Sequence, residues 1–110
     1  VTSGPKPDLV QRLGATYHAG SLDDLPANAD VIIECTGVPS VIVAAAAKAG
    51  SGGVICLDNM LWGGRVLDRH AKEKSTVALR ALNEKLHADT RVAVSLLPIG
   101  DGLTLAWKRP

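Results

Sequence analysis

The 110-residue chain contains no phenylalanine, one tyrosine and two tryptophans. A core here cannot rest on stacked aromatic rings and must be built from Val, Ile, Leu and Ala, the palette of a parallel sheet covered by helices. Cysteine is scarce too. Cys35 and Cys56 lie in separate apolar runs, too few for a disulfide framework, and both are expected to be reduced core thiols. Neither charge sign dominates: 12 Lys and Arg against 11 Asp and Glu leave a net +1. The basic residues are spread along the chain, which excludes the footprint of a nucleic-acid binder. The longest apolar run, Val41–Ala47, is too short to cross a bilayer. Val1–Pro7 lacks the zones of a signal peptide, so a soluble protein of cytoplasmic type is expected. A start at Val1 without Met is expected of an excised or processed piece. What is present is a 46% hydrophobic chain, enough to exclude disorder and long enough for a single α/β domain over residues 1–110.

The punctuation alternates regularly. "PKPDLVQRLGA" predicts a helix, with Pro7 and Asp8 at its start and Gly14 just past its end. "ATYHAG" predicts a short strand and "SLDDLPANA" a polar connector. "DVIIECTG" predicts a strand buried on both faces, ending at Thr36-Gly37. "VPSVIVAAAAKAG" predicts an Ala-rich helix stopped by Gly50, and "GGVICLDN" a second buried strand. Residues 59–72 predict a long loop. "KSTVALRALNEKLHAD" predicts a helix capped by Ser75 or Thr76, with Leu79, Leu82 and Leu86 on one stripe. "RVAVSLLPI" and "LTLAWKR" predict a hairpin turning at Gly100-Asp101-Gly102. Alternation of this kind predicts a truncated Rossmann-like three-layer sandwich: a mostly parallel sheet of about five strands closed by an antiparallel C-terminal hairpin.

Two resemblances rest on these stretches. Residues 1–57, through "LGATYH" and "DVIIECTG", resemble the nucleotide-binding domain of medium-chain, zinc-type dehydrogenases, the glucose dehydrogenase branch above all. Residues 52–110, through "DNMLWGGRV", "LNEKL" and "LLPIGDGLTLAWKR", resemble the C-terminal part of cation-dependent O-methyltransferases of the caffeoyl-CoA and catechol type. The two overlap at "GGVICL", where each family has an apolar strand. Together they imply a chimera with its seam near Gly53–Leu57.

Dinucleotide binding needs a glycine-rich turn leading into a helix N-terminus. The chain contains no G-x-G-x-x-G, and its glycine cluster, Gly50–Gly53, precedes a strand. The glycine-rich S-adenosylmethionine (SAM) motif is absent as well. Thr36 and Gly37 match the loop by which the dehydrogenases approach the nicotinamide, so residual cofactor contact stands beside a plain strand-ending turn. Asp58 and Asn59 match the second and third divalent-metal ligands of the methyltransferases, whose metal orients a catechol's two oxygens. The position of the first ligand is taken by Cys35, or by Glu34 with a slip of one residue that reverses its face. A strand-ending loop cap is the plainer reading of this pair. Trp62 is expected to pack over the strand ends. His70 is expected to be solvated, and Arg12, Arg80, Lys85 and Lys108 to face solvent.

The expectation is therefore a fused domain that is not an enzyme and holds no cofactor, with NAD(P), SAM or Mg²⁺ belonging to its parents. The alternative is a fragment of a SAM-dependent O-methyltransferase or NAD(P)-dependent oxidoreductase with residual affinity for metal or nucleotide. The lost strands would bare the edge of Val31–Cys35 to self-association, unless the Ala15–Ala19 strand moves beside it to give the order 3-4-5-7-6 of the parent sheet. No nucleic-acid or membrane partner is expected.

Overall fold

The computed structural model describes residues 4–110. Its elements are helix α1 (Pro7–Arg12), strand β1 (Ala29–Glu34), helix α2 (Pro39–Ala47), strand β2 (Ala49–Leu57), helix α3 (Lys74–Ala88) and the hairpin β3 (Val92–Leu97) and β4 (Leu103–Lys108), with 3-10 turns at Leu22–Asp24 and Arg65–Leu67. Proline opens both α1 and α2, where its fixed φ suits the first turn and its missing N–H is not needed. α3 starts after Glu73 without a side-chain cap. Thr76, expected as a cap, is instead fully buried inside the helix.

The strands form one sheet in the order β1-β2-β4-β3. β1 and β2 are parallel, with Ile32 beside Ile55 and Glu34 beside Leu57. β4 runs antiparallel between β2 and β3, with Ala106 facing Ile55 on one side and Val94 on the other. The Rossmann-like α/β class with an antiparallel C-terminal hairpin is what the sequence predicts. Among the described residues four strands are formed where about five are expected, and two of the three pairings are antiparallel. The difference lies at Ala15–Ala19, which stays irregular. The His18 ring bonds to Ser21 O at 2.9 Å and the Ser21 hydroxyl accepts the Asp23 N–H, so local turns satisfy this segment and it does not join the sheet. Gly50, expected to stop α2, lies inside β2. There the register against β1 slips between Ala29 and Val31. A Cβ on Gly53 would stand 2.7 Å from Ala29 O, which explains why glycines fill this crossing.

Side chains alternate across the sheet. On one face Ile55, Leu57 and Ala106 pack with Ile42 of α2 and with Met60, and the Leu79, Leu82 and Leu86 stripe of α3 closes over them. Both helices thus cover the same face. On the other face Val31 is 58% exposed and Ile33 71%. β1 is therefore buried on one side only, not on both as its apolar run predicts. The described residues form two layers rather than three. Cys35 is exposed and Cys56 half-buried, both free thiols; Cys56 stands beside Ile33 on the open face, so neither takes the expected core position.

Candidate functional site

The parallel strands β1 and β2 both end at the same margin of the sheet, where open α/β folds place their ligand crevice. β1 ends in Glu34, a carboxylate only 5% exposed. Burial of a carboxylate requires partners, and the following turn supplies them. Glu34 Oε1 accepts the Thr36 N–H at 2.7 Å and also the Thr36 hydroxyl, and Oε2 accepts the Gly37 N–H at 3.4 Å. Thr36 Oγ1 in turn accepts the Val38 N–H at 3.1 Å. Gly37 takes φ +67°, a conformation open to glycine. Thr36 and Gly37 are thus tied to Glu34 in a compact turn leading into α2.

β2 ends at Asp58-Asn59. Asp58 Oδ1 accepts the Asn59 N–H at 2.8 Å, and Asn59 sits at φ +59°, so the pair does cap the strand end. The loop beyond is held at several points. Met60 is buried at 1% exposure, and its N–H donates to Gly102 O at 2.9 Å while the Leu61 N–H donates to Asp101 O at 2.9 Å. Asp101 Oδ1 accepts the Gly63 N–H at 2.7 Å. From α3, Asn83 Nδ2 donates to Met60 O at 3.0 Å. Arg80 donates to Val66 O at 3.0 Å, Asp68 O at 2.6 Å and Ala71 O at 3.4 Å. Trp62, between these anchors, is held at φ +52°, a region a bulky residue occupies only under constraint.

A cavity of about 510 Å³ opens between the two strand ends and the start of α3, within the range of small-molecule sites. Its floor is apolar, from Ile42, Leu57, Met60, Leu79 and Leu82, and Glu34, Asp58, Asn59, Trp62, Lys74 and Lys85 also line it. All four sequence-predicted site residues, Thr36, Gly37, Asp58 and Asn59, line this one cavity. Sequence reading placed them in two unrelated sites and missed what links them. Glu34 is the organising acid of the first turn. Arg80 is no solvent-facing end but the main tie of the 59–72 loop. Lys108, also expected to face solvent, donates to Ala49 O at 2.8 Å. His70 is exposed as expected.

A hard divalent cation takes about six oxygens or more. Asp58 and Asn59 offer three side-chain oxygens, one of which already accepts the Asn59 N–H, Glu34 is committed to its own turn, and no group of three His, Cys, Asp or Glu able to hold a metal exists among the described residues. A metal is not satisfied by this set alone. The cavity combines an apolar floor with the Trp62 side chain, 39% exposed, and the Asp58 carboxylate among its lining groups.

The O-methyltransferase family model matches residues 47–109. The probable caffeoyl-CoA O-methyltransferase 2 of Dictyostelium discoideum is 57% identical over 58 residues, covering 52% of this chain and 25% of its own length, so the chain spans about a quarter of that relative. Among solved structures, SAH-bound methyltransferase PaMTH1 from Podospora anserina superposes with a TM-score of 0.70 at 19% identity, over 94% of this chain and 54% of its own. The O-methyltransferase TomG from Streptomyces achromogenes, in complex with SAM, gives 0.65 at 24% identity, over 79% and 44%. These two likenesses are of fold. With the family match they overturn the expectation of a fused domain that is not an enzyme and has no cofactor. The alternative reading, a stretch of a SAM-dependent O-methyltransferase, is the one they favour.

Proposed function

We propose, given that this chain belongs to the O-methyltransferase family, that it forms one wall of a site for SAM-dependent methyl transfer to a hydroxyl of a catechol-like aromatic acceptor. The observation that carries the reading is the cavity between the ends of β1 and β2 and the start of α3, lined by Asp58, Asn59 and Trp62 from the family-matched stretch. When bound, SAM supplies an electrophilic methyl group on a sulfonium. Towards such a ligand the Asp58 carboxylate offers an opposite charge, the Trp62 face a stacking surface for an aromatic ring or a cation, and the Asn59 amide a hydrogen-bond partner for an acceptor hydroxyl. The apolar floor excludes water and so strengthens these contacts. Asp58 and Asn59 by themselves supply too few oxygens to complete the shell of a divalent cation without water.

The 110 residues contain no glycine-rich anchor, so this wall orients a ligand more than it retains one. The further likeness of residues 1–57 to dehydrogenases rests on "LGATYH" and "DVIIECTG"; a parallel strand–helix–strand unit serves either family equally. Thermal-shift titration with SAM, SAH, Mg²⁺ and NAD(P)⁺ tests the reading, since a ligand that binds only the folded state raises its stability by mass action. Millimolar SAM or SAH is expected to raise the melting temperature of the chain, and Asp58→Ala to abolish the response. A flat response to both defeats the reading, and a response to NAD(P)⁺ alone would favour the dehydrogenase likeness instead.

A further inference from the structure

We propose that Asp101, on the turn between β3 and β4, is a positioning residue of the cavity: it fixes the backbone on both sides of Trp62 and so holds that side chain in the cavity wall. The inference deepens the reading of this cavity as a ligand site and rests on it.

Trp62, Gly63 and Gly64 take φ values of +52°, +61° and +81° in succession. Glycine adopts such a backbone freely; a tryptophan does so only when its surroundings impose it. Two bonds inside the loop, Gly64 N–H to Leu61 O at 2.9 Å and Arg65 N–H to Trp62 O at 3.0 Å, close the turn without fixing its place against the sheet. Asp101 supplies that place. Its carbonyl accepts the Leu61 N–H at 2.9 Å, and its Oδ1 accepts the Gly63 N–H at 2.7 Å. Trp62 is the one residue between these two donors. Next to the clip, Gly102 is buried and a Cβ there would stand 2.6 Å from Leu61 Cγ, so the two loops meet without slack.

The carboxylate is not needed by its own turn. An Asp in a tight turn commonly bonds its own backbone, but here the Gly102 N–H closes the turn on Ile99 O at 3.0 Å. Oδ1 instead reaches a residue 38 positions away, in a charge-assisted bond of the stronger kind. Trp62 lines the cavity and Asp101 does not, so Asp101 acts on a ligand only through Trp62. Fixing a contact residue before the ligand arrives lowers the cost of ordering it on binding.

Asp101→Ala and Asp101→Asn separate this role from a general contribution to folding, because Asn keeps an acceptor oxygen in place and Ala does not. Trp107→Phe leaves Trp62 as the only indole. In that background Asp101→Ala is expected to raise acrylamide quenching of Trp62, to speed hydrogen exchange of the Gly63 amide by about tenfold or more, and to leave circular dichroism unchanged. Asp101→Asn is expected to restore most of both signals. SAH affinity, read by amide-shift titration, is expected to fall about tenfold in the Ala variant and to recover in the Asn variant. Unchanged Gly63 exchange and Trp62 quenching in Asp101→Ala, an Asn variant no better than Ala, or equal SAH affinity in all three proteins would each overturn the proposal. A wild-type chain that binds no SAH defeats the SAM-site reading instead, and the Gly63 and Trp62 signals, which need no ligand, still decide the role of Asp101.

Discussion

Glu34 illustrates how one side chain shapes the site. Its carboxylate is buried and answers three donors of the turn that follows. Hydrogen bonds to a charged group contribute about 1.5–3 kcal/mol, and truncation leaves the Thr36 and Gly37 donors unpaired. Glu34→Ala is expected to lower stability by roughly 2–3 kcal/mol in urea titration, with Glu34→Gln losing less; wild-type stability in Glu34→Ala would contradict the role. Thr104 makes the opposite case. It is 2% exposed, and its hydroxyl has no hydrogen-bond partner among the described residues. Thr104→Val keeps the shape, suits a strand and removes an unsatisfied polar atom. It is expected to stabilise by about 1 kcal/mol, which the same titration measures. Neither role is readable from the sequence. "DVIIECTG" shows an acid within an apolar run but not which way it turns, and a threonine in "LTLAWKR" reads as an ordinary outward strand residue.

At the scale of elements, the parts built from local pattern were legible. The Leu79, Leu82 and Leu86 stripe packs on the core as its spacing predicts, and Gly100-Asp101-Gly102 turns a hairpin. Gly102 takes φ +85°, and a Cβ there would meet Leu61 Cγ at 2.6 Å, so this glycine serves the contact with the 59–72 loop as well as the turn. The parts that depend on distant partners were not legible. The ties from Arg80 and Asn83 to the loop join residues 9 to 23 positions apart, and nothing in their local pattern announces them. Ala15–Ala19 has the composition of a strand but is followed by local turns at His18 and Ser21 and does not join the sheet. The junction of α3 and β3 carries a pH dependence. The hydrogen bonds of the Arg91 guanidinium, 2.9 Å to Oδ1 and 2.6 Å to Oδ2, hold the Asp89 carboxyl well below the usual carboxylate range, helped by the Arg91 backbone N–H and charge. A carboxyl whose folded pKa is depressed contributes stability above its unfolded value and loses that contribution as pH falls through the folded one. Urea midpoints are therefore expected to fall below about pH 4, and Asp89→Asn to lack that share of the decline. Identical pH profiles for the two proteins would contradict the assignment.

On the scale of the whole molecule, one covered face and one open face divide the chemistry. The covered face holds the core and, at the strand ends, the cavity; the open face presents Val31 and Ile33. No helix among the described residues is long and apolar enough to cross a membrane. The strand order was legible up to the point where the sequence demanded a fifth strand. Thr36-Gly37 and Asp58-Asn59 reach one cavity because the neighbouring parallel strands β1 and β2 end at the same margin of the sheet. The proposed role of this cavity is to form one wall of a SAM site. Amide chemical-shift mapping during SAH titration tests it most directly. Saturable shifts are expected at Thr36, Gly37 and the Asp58–Trp62 segment, with Val92–Leu97 unmoved. Shifts confined to the open face of the sheet, or none at millimolar SAH, would contradict it.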